Sequence, residues 1–366
     1  MSSLTPRIRR IAATAAAVAA GSTLTMTGVA HAAPVAGPAP AAEAAHSGKA
    51  THSGKAVTAA PLAKGLYQSA YSDRNHVLWA TASVGRPPVT NSALVKVDPR
   101  SMKVKAAYTP PVTDAATGAV EAVYGVAVDD KHNTVWTTNT RDNSVAVYSQ
   151  RTGKHLATLP GVNHAREVVV DERHNTAWAS GFGDGSLVAF DTRTYKEKKR
   201  ITVEGAGPAG LAVNERTGTA YATDLNGNQI IEASTRTETP RLIPTGEGPI
   251  SITLSRDGRT AYTADQKAGS LSVVDLRKGA VTKSVPTGDG TLAVASDPRS
   301  HTVLVANRTA ATVSLIDPRK GSVVKTVTTG ANPNHIEIAH GTAYVVDKSG
   351  TGPQGEDQLN RIRVKR

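Results

Sequence analysis

Two ionisable side chains suggest a first kind of chemistry. His335 and Glu337 stand two positions apart in NPNHIEIA (332–339), and residues at that spacing on a strand point to the same face. Such a pair could hold a cation or pass a proton, and a glutamate hydrogen-bonded for structural reasons is the competing reading. A second chemistry lies in the charge balance. Lys and Arg number 42 against 30 Asp and Glu, a formal net charge of +12. Basic side chains set among aromatic rings suit a single-stranded nucleic acid, because cations follow the phosphates and rings stack on the bases. Common enzyme signatures do not occur: there is no G-x-S-x-G, no P-loop and no H-E-x-x-H. Gly205-Ala-Gly207-Pro-Ala-Gly210 matches G-x-G-x-x-G, but it lies between two predicted strands with no helix to receive a pyrophosphate. With zero cysteines, disulfides, thiol nucleophiles, iron–sulfur clusters and covalent c-type haem drop out. No catalytic residue, metal ligand or cofactor is expected.

The elements that must carry these residues are strands. Apolar residues make up 39% of the 366 residues and aromatics only 4%, so the core must be assembled from Val, Ala, Leu and Ile. From Leu66 onward the texture is β-branched, Gly-rich and rich in turns. The first 32 residues read as a cleavable export signal: Arg7, Arg9 and Arg10, then an apolar stretch, then Ala30-His31-Ala32 as an A-x-A site. Residues 33–52, rich in Ala and Pro, read as a disordered leader. Beyond the signal no run of about 18 apolar residues occurs, and with its three arginines removed the remainder keeps a charge of +9. The expectation is an exported, extracytoplasmic, monomeric protein, periplasmic where the host has an outer membrane.

HNTVWTTN (132–139) and HNTAWASG (174–181) repeat one phrase at a spacing of 42. Aligning on its aromatic gives Trp79, Trp136, Trp178, Tyr221, Tyr262, Leu304 and Tyr344, at intervals of 57, 42, 43, 41, 42 and 40. Each row adds a further apolar strand, as in SALVKVD (92–98), SVAVYS (144–149) and SLSVVD (270–275). Short inner strands such as GVAV (125–128) precede the aromatic, and a fourth strand such as KHLATLP (154–160) follows. Four strands per period of about 42, linked by tight turns, predict an all-β fold, a seven-bladed propeller over residues 53–366. The last row stops after its third strand. SGKAVTAAP (53–61) aligns with TGKHLATLP (152–160) at Gly, Lys and Pro, so residues near Lys55 to Ala60 are expected to supply the missing outer strand and close the ring.

The rows WTTN (136–139), YATD (221–224), YTAD (262–265), LVAN (304–307) and YVVD (344–347) resemble the YVTN repeat. With GLYQSAYS (65–72), AREVVVDE (165–172) and NPNHIEIA (332–339), the chain resembles the exported YncE proteins of that class. The resemblance implies an exported seven-bladed propeller that binds single-stranded DNA, with no established catalytic reaction.

The repeat also locates a candidate site. Three insertions, Val84 to Asn91, Thr109 to Val120 and Ser349 to Glu356, fall on links that share one face, where loops on a rigid scaffold commonly carry binding residues. The residue before each inner strand reads Tyr67, Tyr124, Arg166, Ala209, Ile250, Gly290 and Asn334, and the next ring Gln68, Gly125, Glu167, Gly210, Ser251, Thr291 and His335. Glu337 stands in a row otherwise read as Ala70, Ala127, Val169, Ala212, Thr253 and Ala293. Tyr67, Tyr124, Arg166, Glu167 and His335, with Phe182, Arg141, Lys267, Arg308 and Lys348 on neighbouring tips, are the expected ligand-binding residues, and the ligand is single-stranded DNA or another polyanion. The alternative is an extracytoplasmic enzyme or a protein-binding scaffold using the same mouth, with His335, Glu337 and Glu167 as its ionisable groups. On the opposite face Arg100, Arg151, Arg193, Arg236, Arg277 and Arg319 each follow an Asp or Ser by two residues, which reads as turn capping or as a ring that docks a polyanion.

Overall fold

The computed structural model describes residues 57–364, so the expected signal and leader segments lie outside the described residues. Each period folds as a four-stranded antiparallel sheet, and seven such sheets form the ring. The blades span 66–108, 123–160, 165–202, 208–244, 249–286 and 291–328, and the seventh combines 333–363 with Val57–Ala63. Each inner strand packs against the inner strand of the next blade, and Pro333–Ala339 returns to Leu66–Ser72. Among the described residues no helix is long and apolar enough to cross a membrane.

Closure follows the register read from the letters. Pro61 faces Gln358 and Ala60 faces Leu359, as Pro160 faces Ser144 and Leu159 faces Val145 in blade 2. The strand itself runs Val57–Ala63, ending three residues later than expected, and Lys55 lies outside the described residues. The Asp357 carboxylate accepts from the backbone N–H of Gly65 and Leu66, each at 2.9 Å, and so ties the seam to the first inner strand.

The scarcity of aromatics is met by distributing the core. A separate apolar cluster fills every interface between neighbouring blades. Trp79, Trp136 and Trp178 are each at most 1% exposed, and removing an indole from such a site costs about 3–5 kcal/mol. The duplicated phrase is a turn followed by a strand. Asp129 accepts from His132 N at 2.9 Å and contacts His132 Nδ1 at 2.7 Å, and Asp171 repeats both contacts with His174 at the same distances. Asn133 and Asn175 then take φ of 58° and 50°, a left-handed position that asparagine tolerates well.

One hairpin was not visible in the sequence. The second insertion pairs Val112–Asp114 with Ala119–Val120, and Val120 N donates to Val89 O in the first insertion at 2.8 Å. The two insertions therefore brace one another.

Candidate functional site

Every inner strand carries a one-residue bulge at the insertion-bearing mouth, where its register slips against the second strand. A bulge leaves backbone N–H groups without a ladder partner and re-aims the side chains around it. In blades 1 to 4 a hydroxyl meets this need. Gly125 N donates to Thr138 Oγ1 at 2.8 Å, Glu167 N to Ser180 Oγ at 3.0 Å and Gly210 N to Thr223 Oγ1 at 2.9 Å. The same hydroxyls pass a bond to the next blade: Thr81 Oγ1 donates to Tyr124 O, Thr138 Oγ1 to Arg166 O and Ser180 Oγ to Ala209 O, the last two at 2.9 Å. Glycine keeps the strands close there, since a Cβ on Gly125 would lie 2.7 Å from Arg166 O. The mouth residues are thus fixed through their own backbone.

The pairing corrects the ring in one blade. Thr291 occupies the position of Leu66 and Pro333, each paired to the last residues of its second strand. Leu292 and Ala293 therefore take the two mouth places read as Gly290 and Thr291, and Ala295, paired with Leu304, takes the place read as Ala293 in the row of Glu337.

Five of the expected residues meet in an arc. Lys348 Nζ lies 3.7 Å from the Tyr67 ring centroid, and the Tyr67 and Tyr124 centroids are 4.6 Å apart at 40°. The Arg166 guanidinium then lies 5.9 Å from Tyr124 and 5.3 Å from Phe182. His164, absent from the sequence reading, extends the arc at 5.5 Å from Phe182. It sits in a loop at φ 49°, where no periodicity marks it. Burial, then Arg166 and Arg141, hold its imidazole below the usual histidine range. Burial pulls Lys348 down to about 8, with Arg308 adding to the effect, so the ammonium is still the main form at neutral pH. Its Nζ also donates to Leu66 O at 2.6 Å.

Arg141 joins a side pocket of about 120 Å³ with Tyr67, Tyr124, His164 and the first insertion's Gly85 and Val89. Arg308 Nη1 donates to Asn334 Oδ1 at 2.9 Å, and Asn334 Nδ2 to Tyr67 O at 2.7 Å. Lys267 is exposed and lines neither the side pocket nor the channel.

Below the arc the channel encloses about 510 Å³ and is lined by Gln68, Glu167, His335 and Glu337 among small apolar residues. Glu167 Oε2 accepts from Gln68 Nε2 at 2.8 Å. His335 Nδ1 accepts from Ser69 N at 3.3 Å, and Glu337 Oε1 from Tyr71 N at 3.1 Å. Both blade 7 side chains therefore bridge to the backbone of blade 1. Burial raises Glu167 and Glu337 each to about 7 and lowers His335 to about 4. On the opposite face the Asp or Ser of each row caps its own turn: Arg100, Arg193 and Arg319 each donate N–H to the preceding Asp at 2.9–3.0 Å. All six arginine side chains of that ring are exposed. The Asx row behaves likewise, with Asp224 accepting from Gly207 N and Asn226 N.

Fold and mouth together define a seven-bladed β-propeller. No family model matches the chain. It is similar to the uncharacterized protein YncE of Salmonella typhi and to that of Salmonella typhimurium, 27% identical to each over 238 residues. The match covers 60% of this chain and 64% of each relative. Among solved structures it superposes on a chain of Kuenenia stuttgartiensis hydrazine synthase with a TM-score of 0.68 at 14% identity, covering 83% of this chain and 97% of that one. Virginiamycin B lyase from Staphylococcus aureus gives 0.68 at 13% identity, covering 84% and 99%. At such identities these two likenesses speak for the fold alone.

Proposed function

We propose that the insertion-bearing mouth binds a single-stranded polyanion, with single-stranded DNA as the first candidate, and that the chain is an exported binding propeller rather than an enzyme. The arc Lys348, Tyr67, Tyr124, Arg166, Phe182 carries this reading. Its aromatic and guanidinium planes are half-buried rather than sealed, which leaves surface for bases at about 1–3 kcal/mol per stacked base. Arg141 and Arg308 flank it as cations for phosphates. The resemblance to the YncE class supports the same ligand, and the N-terminal sequence pattern supports export. His335 and Glu337 already spend one acceptor each on the blade 1 backbone, which favours a strut over a catalytic pair.

The test is oligonucleotide binding across a salt series. Affinity should fall steeply with salt. Tyr124→Ala and Arg166→Ala should each weaken binding by about 1–3 kcal/mol, and Arg166→Ala should also reduce the salt slope. Loss of binding in the Arg193→Glu/Arg277→Glu double variant, with silent mouth variants, would move the site to the arginine ring and overturn the proposal.

A further inference from the structure

A second basic concavity lies on the face opposite the mouth. It encloses about 440 Å³ and is lined by Arg216 of blade 4, Arg256, Asp257 and Tyr262 of blade 5, and His301 and Arg319 of blade 6. None of it belongs to the arc described above, and of the six arginines in the turn-capping ring only Arg319 enters it.

Two observations distinguish this groove from a solvated basic surface. The first is its floor. Tyr262 is 8% exposed, and both Asp257 and Arg319 act on its phenol electrostatically while burial raises its pKa. In blade 1 the same row holds Trp79, whose Nε1 donates to Gln150 Oε1 of blade 2 at 3.3 Å. In blade 5 the corresponding partner position is Pro318, which has no side-chain acceptor, and among the described residues no hydrogen bond engages the Tyr262 hydroxyl. A phenol donor is therefore left at the base of the groove.

The second observation is the state of the cations. Arg216, Arg256 and Arg319 take part in none of the ion pairs among the described residues, and Arg216 uses Nη2 on the Arg256 carbonyl at 3.1 Å. Asp257 is the opposing charge. Its carboxylate accepts from Ser255 Oγ at 2.6 Å and Arg259 N at 3.2 Å, and these bonds help hold it below the usual carboxylate range. Three guanidiniums against one carboxylate leave an excess of positive charge over a free hydroxyl donor. Guanidinium forks match the oxygens of phosphoryl groups.

We propose that this groove between blades 4, 5 and 6 is a second ligand site, for a phosphoryl anion gripped by Arg256 and Arg319 and accepting a hydrogen bond from Tyr262. The phosphoryl group could belong to a free small molecule or to a polymer; the chemistry recognised is the same. The site stands apart from the mouth and does not rest on the function proposed for it.

Calorimetric titration of the full chain with pyrophosphate and, separately, with long-chain polyphosphate at low salt tests this. Saturable binding of pyrophosphate is expected, weakened at least tenfold in Arg256→Ala/Arg319→Ala and measurably in Tyr262→Phe, which keeps the ring. Arg100→Ala/Arg151→Ala removes the same charge from the same face outside the groove and should leave pyrophosphate affinity unchanged. Polyphosphate should bind more tightly than pyrophosphate if the source is a polymer, and comparably if it is a small molecule, with the groove variant weakening both. Absence of saturable pyrophosphate binding, or equal losses in the groove and control double variants, would overturn the proposal.

Discussion

Gln68 Nε2 and Glu167 Oε2 meet at 2.8 Å across the channel, although their blades are not neighbours. The same Gln68 side chain accepts from Val126 N at 3.2 Å in the blade between them. One amide thus joins blades 1, 2 and 3. Gln68→Ala would leave a buried backbone N–H and a carboxyl group without partners, and should cost about 1–3 kcal/mol of unfolding free energy by denaturant titration. An unchanged midpoint would show that water replaces the amide at no cost.

Thr138 carries a comparable double duty, accepting from the bulged Gly125 N and donating to Arg166 O. Thr138→Val keeps the shape and removes both bonds. It should lose about 1–3 kcal/mol of stability and also weaken oligonucleotide binding, because Arg166 is positioned through that carbonyl. Thr263→Val in blade 5 has no equivalent link to the mouth arc and should leave binding alone.

The channel makes a pH prediction with two opposing signs. Glu337 has a folded pKa raised to about 7, above the ordinary glutamate value near 4.3, so its favourable contribution is full below that value and is lost as pH rises through about 7. His335 is lowered to about 4, against an ordinary value near 6.5, so its contribution is full above that value and is lost as pH falls through about 4. Glu337→Gln should therefore gain stability relative to the parent as pH rises from 5 to 8, whereas His335→Gln should gain as pH falls from 6.5 to 4. Melting curves at half-unit pH steps would show it, and parallel profiles for parent and variants would refute it.

Closure can be tested by truncation. A chain starting at Gly65 loses Val57–Ala63 and with it Leu62, which is 7% exposed. Burial of that side chain alone is worth about 1.5–3 kcal/mol, and the outer edge of 357–363 becomes an open strand prone to association. Such a chain should melt lower than the full chain and self-associate; equal melting temperatures would contradict the seam.

The ring was legible because its signals repeat: the aromatic row, the Asx that ends the second strand in five of the seven blades, and a left-handed Asn or Gly in many of the turns. Even the pairing of Pro61 with Gln358 could be read from the match of 53–61 to 152–160. Legibility failed where periodicity does. A bulge adds one residue to a strand whose side chains otherwise alternate, so the face of a mouth residue depends on where the slip falls; in blade 6 the reading was two residues out, at Gly290 instead of Leu292. His164 was missed because a single loop residue in a left-handed turn leaves no pattern. Lys267 was included because it sits on an equivalent tip, yet tip position does not fix where a flexible side chain rests.

The seam that closes the ring also sets how it responds to force. Val57 faces Ile362 and Ala63 faces Asp357, so the chain leaves this two-strand ladder on both sides from the same end. Tension applied through residues 57 and 363 loads the hydrogen bonds one after another rather than all together. The sheet most important to circular integrity is therefore mechanically a zipper. Single-molecule stretching should detach Val57–Ala63 at low force as a first, separate step, before the blades yield one by one.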